Sequence, residues 1–290
     1  KQPGAQLMLA AEAVRAGRRT EAEALSLQAE KGFAAGAEAH PADPSWVVNQ
    51  ALARAVRGDD EGAIQLLEAR LDRAKPEPEV LMAAGNAFAE WVSRPSLSGP
   101  AQRSRRVELL LRAQRSLPGH PSIQAPILRE LIDPEGREEA VRQFETLLSD
   151  PRAAHSTHFL LGGSAYQLGL SAKAKHHFQE AHRLFPSEPN YANNLAWLLA
   201  DGDEADRGEA LKIIDGLVSL EPKAPRFHGT KGHVLLRDKK WRDALAELET
   251  GLKGEPDNID LHRDLADAYE ALGMTDLAAG HRAKATKRVP

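Results

Sequence analysis

The fold is decided by residues 155–188, which read HSTHFLLGGSAYQLGLSAKAKHHFQEAHRLFPSE. From Phe159 to Tyr166, apolar and small residues stand three and four positions apart, which places them on one face of an α-helix. Leu168 and Gly169 interrupt this pattern, because glycine readily adopts the left-handed conformation that ends helices. We therefore predict one short helix followed by a tight turn.

A second helix is predicted after the turn, with one face formed by Ala174, Phe178, Ala181 and Leu184. Pro186 ends this helix, because proline cannot donate the next backbone hydrogen bond. Gly162 and Ala174 are small enough to let the backbones of the two helices approach closely. A single hairpin of this length cannot bury its apolar faces alone, so a neighbouring hairpin must stack on it.

The same layout recurs along the chain at a nearly constant period. Successive units close at Pro186, Pro222, Pro256 and Pro290, with gaps of 36, 34 and 34 residues. Small residues recur in the first helices at Gly162, Ala196, Gly232 and Ala266. They recur in the second helices at Ala174, Ala210, Ala244 and Ala278. Four units in phase predict an all-α solenoid of stacked helix-turn-helix hairpins.

This layout resembles the tetratricopeptide repeat in its period and in its pattern of small residues. It departs from that family at His158, where Trp is frequent, and at Ala165, where Tyr is frequent. The resemblance implies a right-handed superhelix in which the first helix of each hairpin lines a concave groove. It also implies that the groove holds a segment of a partner protein.

About eight hairpins are predicted, in one continuous superhelix. Irregular repeats are expected in residues 1–154 and regular repeats in residues 155–290. The irregular units are predicted at residues 3–43, 44–77, 78–120 and 121–154. The regular units are predicted at residues 155–188, 189–224, 225–258 and 259–290.

Several irregular features carry their own expectations. Trp46 is expected to pack between hairpins, and residues 93–102 are expected to form an extended loop rich in Pro, Ser and Gly. Pro126 would interrupt a helix, so the helix of that unit is predicted to begin there. The acidic stretch at residues 201–207 is interpreted as an expanded turn. It could also suggest calcium, but Ala205 stands where a ligand would be needed, so a solvated turn is preferred.

The most basic part of the chain consists of Arg103, Arg105, Arg106, Arg112 and Arg115. We interpret it as a solvated helix face, with a docking site for an acidic partner as the alternative. The formal net charge of the whole chain is −4, which argues against a broad nucleic-acid or anionic membrane surface. No apolar run is long enough to span a membrane.

The sequence offers no catalytic, cofactor or metal site. Cysteine is absent, which excludes disulfides, thiolate zinc sites and cysteine nucleophiles but leaves the compartment open between cytoplasm and bacterial envelope or periplasm. Five histidines cluster in one region, yet their spacing favours packing or surface roles over a metal site. They are His155, His158, His176, His177 and His182. Nucleotide-binding and hydrolase signatures are also absent.

The candidate partner-binding residues are those that the resemblance places on the concave face of the first helices. They are Asn49, Asn86, Asn190, Asn194, Trp197, Arg226, Thr230, His233 and Arg263. Asn and Arg side chains can hold a peptide backbone or a carboxylate. The family's clamp for chaperone C-termini is matched only in part by Asn194 and Arg226, so we expect it to be absent. Asn194 could instead only bridge neighbouring helices.

We therefore predict a non-enzymatic scaffold whose groove binds a protein or peptide partner. The alternative is the regulatory or targeting part of a longer chain, because the sequence opens at Lys1 without an initiating Met. Residues 191–200 resemble repeats of bacterial envelope proteins that assist polysaccharide or protein export, which gives this alternative a bacterial form. An enzyme in its own right is disfavoured, because no paired acid and base or metal ligands are found.

Overall fold

The computed structural model describes residues 2–71 and 76–286, which contain sixteen α-helices and no strand. The predicted closure of the last unit at Pro290 lies outside the described residues. The chain divides into two compact units, Lys1–Leu160 and Leu161–Pro290. Within the described residues, no helix is both long enough and apolar enough to cross a membrane.

The N-terminal unit is built from helical hairpins. Its helices are α1 (Pro3–Arg15), α2 (Arg19–Ala39), α3 (Pro44–Val56), α4 (Asp60–Leu71), α5 (Pro78–Val92), α6 (Arg103–Ser116), α7 (Pro121–Ile132) and α8 (Arg137–Glu145). Short 3₁₀ turns cover Pro95–Leu97, Pro100–Gln102 and Thr146–Ser149. The unit ends inside the next helix, α9 (Ala154–Gln167).

The C-terminal unit begins within α9 and continues in the same hairpin pattern. Its further helices are α10 (Ser171–Leu184), α11 (Pro189–Ala200), α12 (Glu204–Leu220), α13 (Pro225–Arg237), α14 (Trp241–Gly254), α15 (Ile259–Ala271) and α16 (Thr275–Ala285). From α10 to α16 each helix packs on the next, and first helices of successive hairpins also touch, as α11 and α13 do. The all-α repeat fold predicted from the sequence is confirmed.

The small residues that predicted the fold lie where hairpins nest. All eight of those in the regular repeats are buried. A Cβ added at Gly162 would stand 2.6 Å from Cδ1 of Phe178, and one at Gly232 would stand 2.8 Å from the backbone nitrogen of Leu248. Leucines, alanines and Tyr269 of α13 to α16 pack around the contact at Gly232 and form a continuous apolar core.

Proline marks the starts of six first helices, at Pro3, Pro44, Pro78, Pro121, Pro189 and Pro225. This position suits proline, because the first backbone N–H of a helix has no partner within the helix. The prediction that a helix begins at Pro126 is wrong. That helix begins at Pro121, and Pro126 lies inside it, where its ring removes one helical hydrogen bond.

Two loop predictions also need correction. Residues 93–102 were expected to be extended, but they form two 3₁₀ turns, and α6 follows directly at Arg103. Only the start of the acidic stretch at residues 201–207 is a turn. Asp203 accepts a hydrogen bond from the backbone N–H of Asp206, and this cap begins α12 at Glu204.

The basic run of α6 is a solvated face only in part, because Arg105 and Arg115 are exposed whereas the other three arginines pair with carboxylates of other helices. The Nε of Arg106 lies 2.7 Å from Oε1 of Glu130, and Arg103 also binds Glu130, which is buried. Arg112 binds both Glu61 and Glu68 of α4. Burial works against ionisation of Glu61, but its hydrogen bond to Arg112 prevails and lowers its pKa. The sequence could not show these pairs, because the carboxylates stand on other helices.

Trp46 packs within the N-terminal unit as expected. Its ring lies 6.3 Å from the ring of Phe33 and stacks 5.9 Å from that of His40, at the end of α2. Gly36 leaves room for it, since a Cβ there would overlap the indole. Trp46 therefore joins the first hairpin to the second, and it takes no part in the exposed surfaces described below.

Candidate functional site

A row of side chains crosses four first helices of the C-terminal unit, which we call the polar ladder: Tyr166, Trp197, His233 and Asp264. The indole Nε1–H of Trp197 donates to the hydroxyl of Tyr166 at 2.9 Å. The other side of the ladder is a stack, in which the rings of Trp197 and His233 are nearly parallel and their centroids lie 3.9 Å apart. The Nδ1 of His233 lies 2.7 Å from the carboxylate of Asp264. The ladder thus fixes the plane of the Trp197 indole from both ends.

The inner end of the ladder is buried and charged. His233 is only 2% exposed and Asp264 3%. Arg237 lies 3.7 Å from the buried carboxylate of Asp264, and it also binds Asp201 at 2.6 Å. The carboxylate of Asp264 therefore has two nitrogen-bearing neighbours, His233 and Arg237. A buried carboxylate needs such partners, because desolvation alone would be costly. This end of the ladder holds structure together and offers no surface to a ligand.

The outer end of the ladder forms one wall of an open cavity of about 230 Å³, which we call the polar cavity. The side chains that matter most to it are Tyr166, Asn194, Trp197, Arg226, Thr230 and Asn258. They come from α9, α11 and α13 and from the turn before α15. Burial raises the pKa of Tyr166 and outweighs the hydrogen bond from Trp197, so the phenol stays protonated at neutral pH.

The cation of the polar cavity, Arg226, is paired at the surface, whereas the carboxylate of Glu255 is held by an amide. Arg226 lies 3.2 Å from Glu221, and its guanidinium stands 4.2 Å from the centre of the Phe227 ring. Asn258 donates to Glu255 at 2.7 Å. An exposed pair such as that of Arg226 with Glu221 contributes little to stability, so a ligand can replace Glu221 at small cost. The cavity therefore presents an amide, a guanidinium and an aromatic wall that are available for binding.

Comparison with known families finds a match for the last part of the chain. The family model described as tetratricopeptide repeat matches residues 230–290, which cover α13 to α16 except for the first residues of α13. Residues 230–290 are similar to tetratricopeptide repeats. The resemblance predicted from the sequence is confirmed. No curated protein matches the sequence.

Solved structures of tetratricopeptide repeat proteins resemble the chain at low identity. The APC/C hetero-tetramer Cut9–Hcn1 aligns over 90% of this chain and 49% of its own, with 16% identity and a TM-score of 0.50. MamA from Desulfovibrio magneticus RS-1 aligns over 56% of this chain and 91% of its own, with 18% identity and a TM-score of 0.43. The protein TTC0263 of Thermus thermophilus aligns over 56% and 89%, with 22% identity and a TM-score of 0.45. At these identities the likeness concerns the fold alone.

The predicted partner-binding residues of the C-terminal repeats fall into two groups. Asn194, Trp197, Arg226 and Thr230 line the polar cavity, although Thr230 is only 3% exposed. The others lie outside the cavity lining. Asn190 and Arg263 are exposed, and Arg263 pairs with Asp260, whereas His233 was expected at the surface and is buried behind Trp197.

The two predicted residues of the N-terminal unit lie elsewhere. Asn49 donates to the backbone oxygen of Ser45 within its own helix, and Asn86 accepts a hydrogen bond from Ser122. Asn86 also borders an apolar groove. Sequence reasoning missed Tyr166, which had been noted only as part of a helix face, and Asn258. The signal for Asn258 was its place before Ile259, because its side chain caps α15 by accepting from two backbone N–H groups.

The acidic and histidine-rich stretches do not assemble a metal site. In the part of the chain that the structure describes, no group of three or more His, Asp or Glu side chains is placed to hold an ion. The acidic residues after α11 have other partners, since Asp201 binds Arg237 and Asp206 binds Lys175 at 2.6 Å. Their charges are thereby used in joining neighbouring helices.

Proposed function

We propose that the protein is a non-enzymatic interaction scaffold that holds a segment of a partner protein at the polar cavity of its C-terminal repeats. One observation carries this proposal: Tyr166, Asn194, Trp197, Arg226 and Thr230, from three first helices that stand far apart in sequence, line one cavity. The amide of Asn194 and the guanidinium of Arg226 have the chemistry to bind a peptide backbone or a carboxylate. Trp197 and Tyr166 add flat surface against which a side chain can pack.

Rigidity supports this function. The polar ladder holds Trp197 in one orientation by a stack on His233 and a hydrogen bond to Tyr166. A wall that is already ordered loses little conformational entropy when a ligand packs on it. Affinity can therefore come from a few weak contacts, as is typical of a scaffold that binds an extended segment across several repeats.

The test is affinity capture from the native host with the tagged whole chain. A variant carrying Asn194→Ala and Arg226→Ala removes an amide and a cation from the cavity while leaving the ladder intact. We expect the recovery of specific partners to fall about tenfold, because two such anchors together are worth about 1–2 kcal/mol. The control variant carries Lys173→Ala and Arg183→Ala, which change two exposed residues of α10. It should recover the same partners in the same amount as the wild type.

Equal capture by the cavity variant and the wild type would refute the assignment of this cavity. Circular dichroism and thermal unfolding must show that both variants keep the helical fold. A loss of partners that accompanies unfolding would say nothing about the cavity, whereas a loss in a folded variant would support it directly.

A further inference from the structure

The N-terminal unit carries a second exposed surface, which we call the apolar groove. It lies between α3, α4 and α5 and encloses about 520 Å³. Its walls and floor are formed chiefly by Val48, Leu52, Leu67, Met82, Ala83 and Ala87. Small alanines on α5 leave the space, and the buried side chain of Leu67 closes the bottom.

Two large apolar side chains of the apolar groove face solvent. Leu52 is 48% exposed and Met82 is 54% exposed, although they stand on helices that touch each other. Water contact with such side chains is unfavourable, and covering them is the usual driving force of association. Met82 also adapts its shape readily, because its side chain is unbranched and polarisable.

The polar groups of the apolar groove are acidic or neutral. The charged residues of its lining are Glu79 and Glu90, and the neutral one is Asn86. Glu90 lies 3.9 Å from Arg94, but Arg94 pairs more closely with Asp60, at 2.5 Å, and the side chain of Glu90 is 70% exposed. Glu79 and Glu90 stand eleven positions apart on α5, which separates them by about 16 Å along the helix axis.

We propose that the apolar groove docks an amphipathic helix of a partner protein. The apolar side chains of that helix contact Leu52 and Met82, and one of its basic side chains lies near each of Glu79 and Glu90. A helix of about three to four turns spans the distance between the two carboxylates. Apolar residues at three- and four-residue spacing then face the groove. An anionic membrane does not fit, because carboxylates at both ends would repel it. The proposal concerns a surface separate from the polar cavity, and it does not depend on the function assigned to that cavity.

The experiment measures fluorescence anisotropy of two labelled peptides with the whole chain. Both peptides have about 16 residues and the same leucine pattern on one helical face, but one carries Lys at each end and the other Glu. We expect the Lys peptide to bind at least about tenfold more tightly, because its charges oppose Glu79 and Glu90. The preference should shrink as salt rises, since these carboxylates lie near solvent.

Three variants assign the binding to the apolar groove. Met82→Gln should lower the affinity for the Lys peptide at least about fivefold, because it replaces an apolar contact by a polar group. Met274→Gln is the matched control, since Met274 is also exposed but lies in the turn between α15 and α16, and it should change affinity less than about twofold. Glu79→Lys with Glu90→Lys should reverse the preference toward the Glu peptide.

The proposal is overturned if neither peptide binds, if both bind equally, or if Met274→Gln weakens binding as much as Met82→Gln. It is also overturned if the protein binds vesicles of anionic phospholipid in a manner that Met82→Gln abolishes, because the groove would then be a membrane surface. Met82 and Met274 are exposed, so substitution by Gln leaves the fold intact, which thermal unfolding verifies.

Discussion

Lys239 occupies the turn between α13 and α14 with a φ of 60°, in the left-handed region. The corresponding turns of other hairpins place glycine there, for example Gly58 and Gly169, with φ of 86° and 70°. A residue with a Cβ is strained in this conformation, whereas glycine is not. The chain therefore keeps the turn geometry of its repeats even where the sequence lacks the residue that favours it.

Lys239→Gly is expected to raise the free energy of unfolding by about 0.5–1 kcal/mol, because it relieves this strain. Urea unfolding of the whole chain measures the change. Lys212→Gly, at an exposed position inside α12, is the matched control and should lower stability by about 1 kcal/mol. A loss of stability in both variants would mean that the turn at Lys239 is not strained.

Residue identity also explains why the polar ladder escaped prediction. Trp197 and His233 each stand one position after the small residue of their helix, but Tyr166 stands four positions after Gly162 and Asp264 two positions before Ala266. Comparison of matched positions therefore pairs only the two members in the middle of the ladder. What brings them together is the offset between neighbouring helices, which only the packed structure shows.

At the scale of helices, the nesting of each hairpin depends on its small residues. Gly232 faces α14 so closely that a Cβ would meet the backbone nitrogen of Leu248 at 2.8 Å. Gly216 in α12 has nothing within 4 Å of the position that its Cβ would take. The two glycines therefore separate the effect of packing from the effect of helix propensity.

Gly232→Ala should destabilise the protein by about 1–3 kcal/mol, because α13 and α14 must move apart. Gly216→Ala should instead stabilise it by about 0.5–1 kcal/mol, since alanine favours the helix and meets no neighbour. Chemical unfolding of both variants checks the signs. If Gly232→Ala proved as stable as Gly216→Ala, close approach of the helices would not be what the small residue provides.

The last described hairpin contains a histidine pair that responds to pH. The Nδ1 atoms of His262 and His281 lie 2.9 Å apart, and the Nε2–H of His262 donates to the carbonyl of Pro256. Burial, together with the nearby charges of His262 and Lys284, lowers the pKa of His281 below its ordinary value of 6.5, whereas Glu249 raises it only in part. The fold thus favours the neutral ring.

Because the folded chain holds His281 neutral, the stability that it contributes is complete above pH 6.5 and is lost as the pH falls below that value. Between about pH 7.5 and about pH 5.5, the free energy of unfolding should therefore decrease more in the wild type than in His281→Gln. The comparison is needed because His228 acts in the opposite sense. Burial opposes its charge, but Glu247 prevails and raises its pKa, so its contribution is lost as the pH rises. An identical fall in both proteins would contradict the role of His281.

At the scale of the helix order, much of the fold was predictable. Recurring small residues and glycine turns located the hairpins, because both follow from the local geometry of packed helices. Pro126 misled the prediction, since proline inside a helix is normally avoided and the better signal was Pro121 at the first position. Proline is tolerated there because the neighbours Ile123 and Ile127 are fully buried and hold the helix in place.

At the scale of the whole molecule, each unit presents its own kind of surface. The N-terminal unit exposes an apolar groove with acidic ends, and the C-terminal unit exposes a polar cavity with an aromatic wall. The sequence predicted that first helices carry the binding residues, and four of the nine candidates line the cavity. Burial of His233 could not be predicted, because it depends on Trp197 and Asp264 from two other repeats.

The central claim is that a partner segment lies against the first helices of the C-terminal repeats. The most direct test places a photo-crosslinking amino acid at position 226 in the polar cavity and, separately, at position 173 on α10, in the native host. Mass spectrometry then identifies what is attached. We predict that one partner segment is captured from position 226 and not from position 173. Capture of the same partner from position 173 alone, or equally from both positions, would contradict the claim.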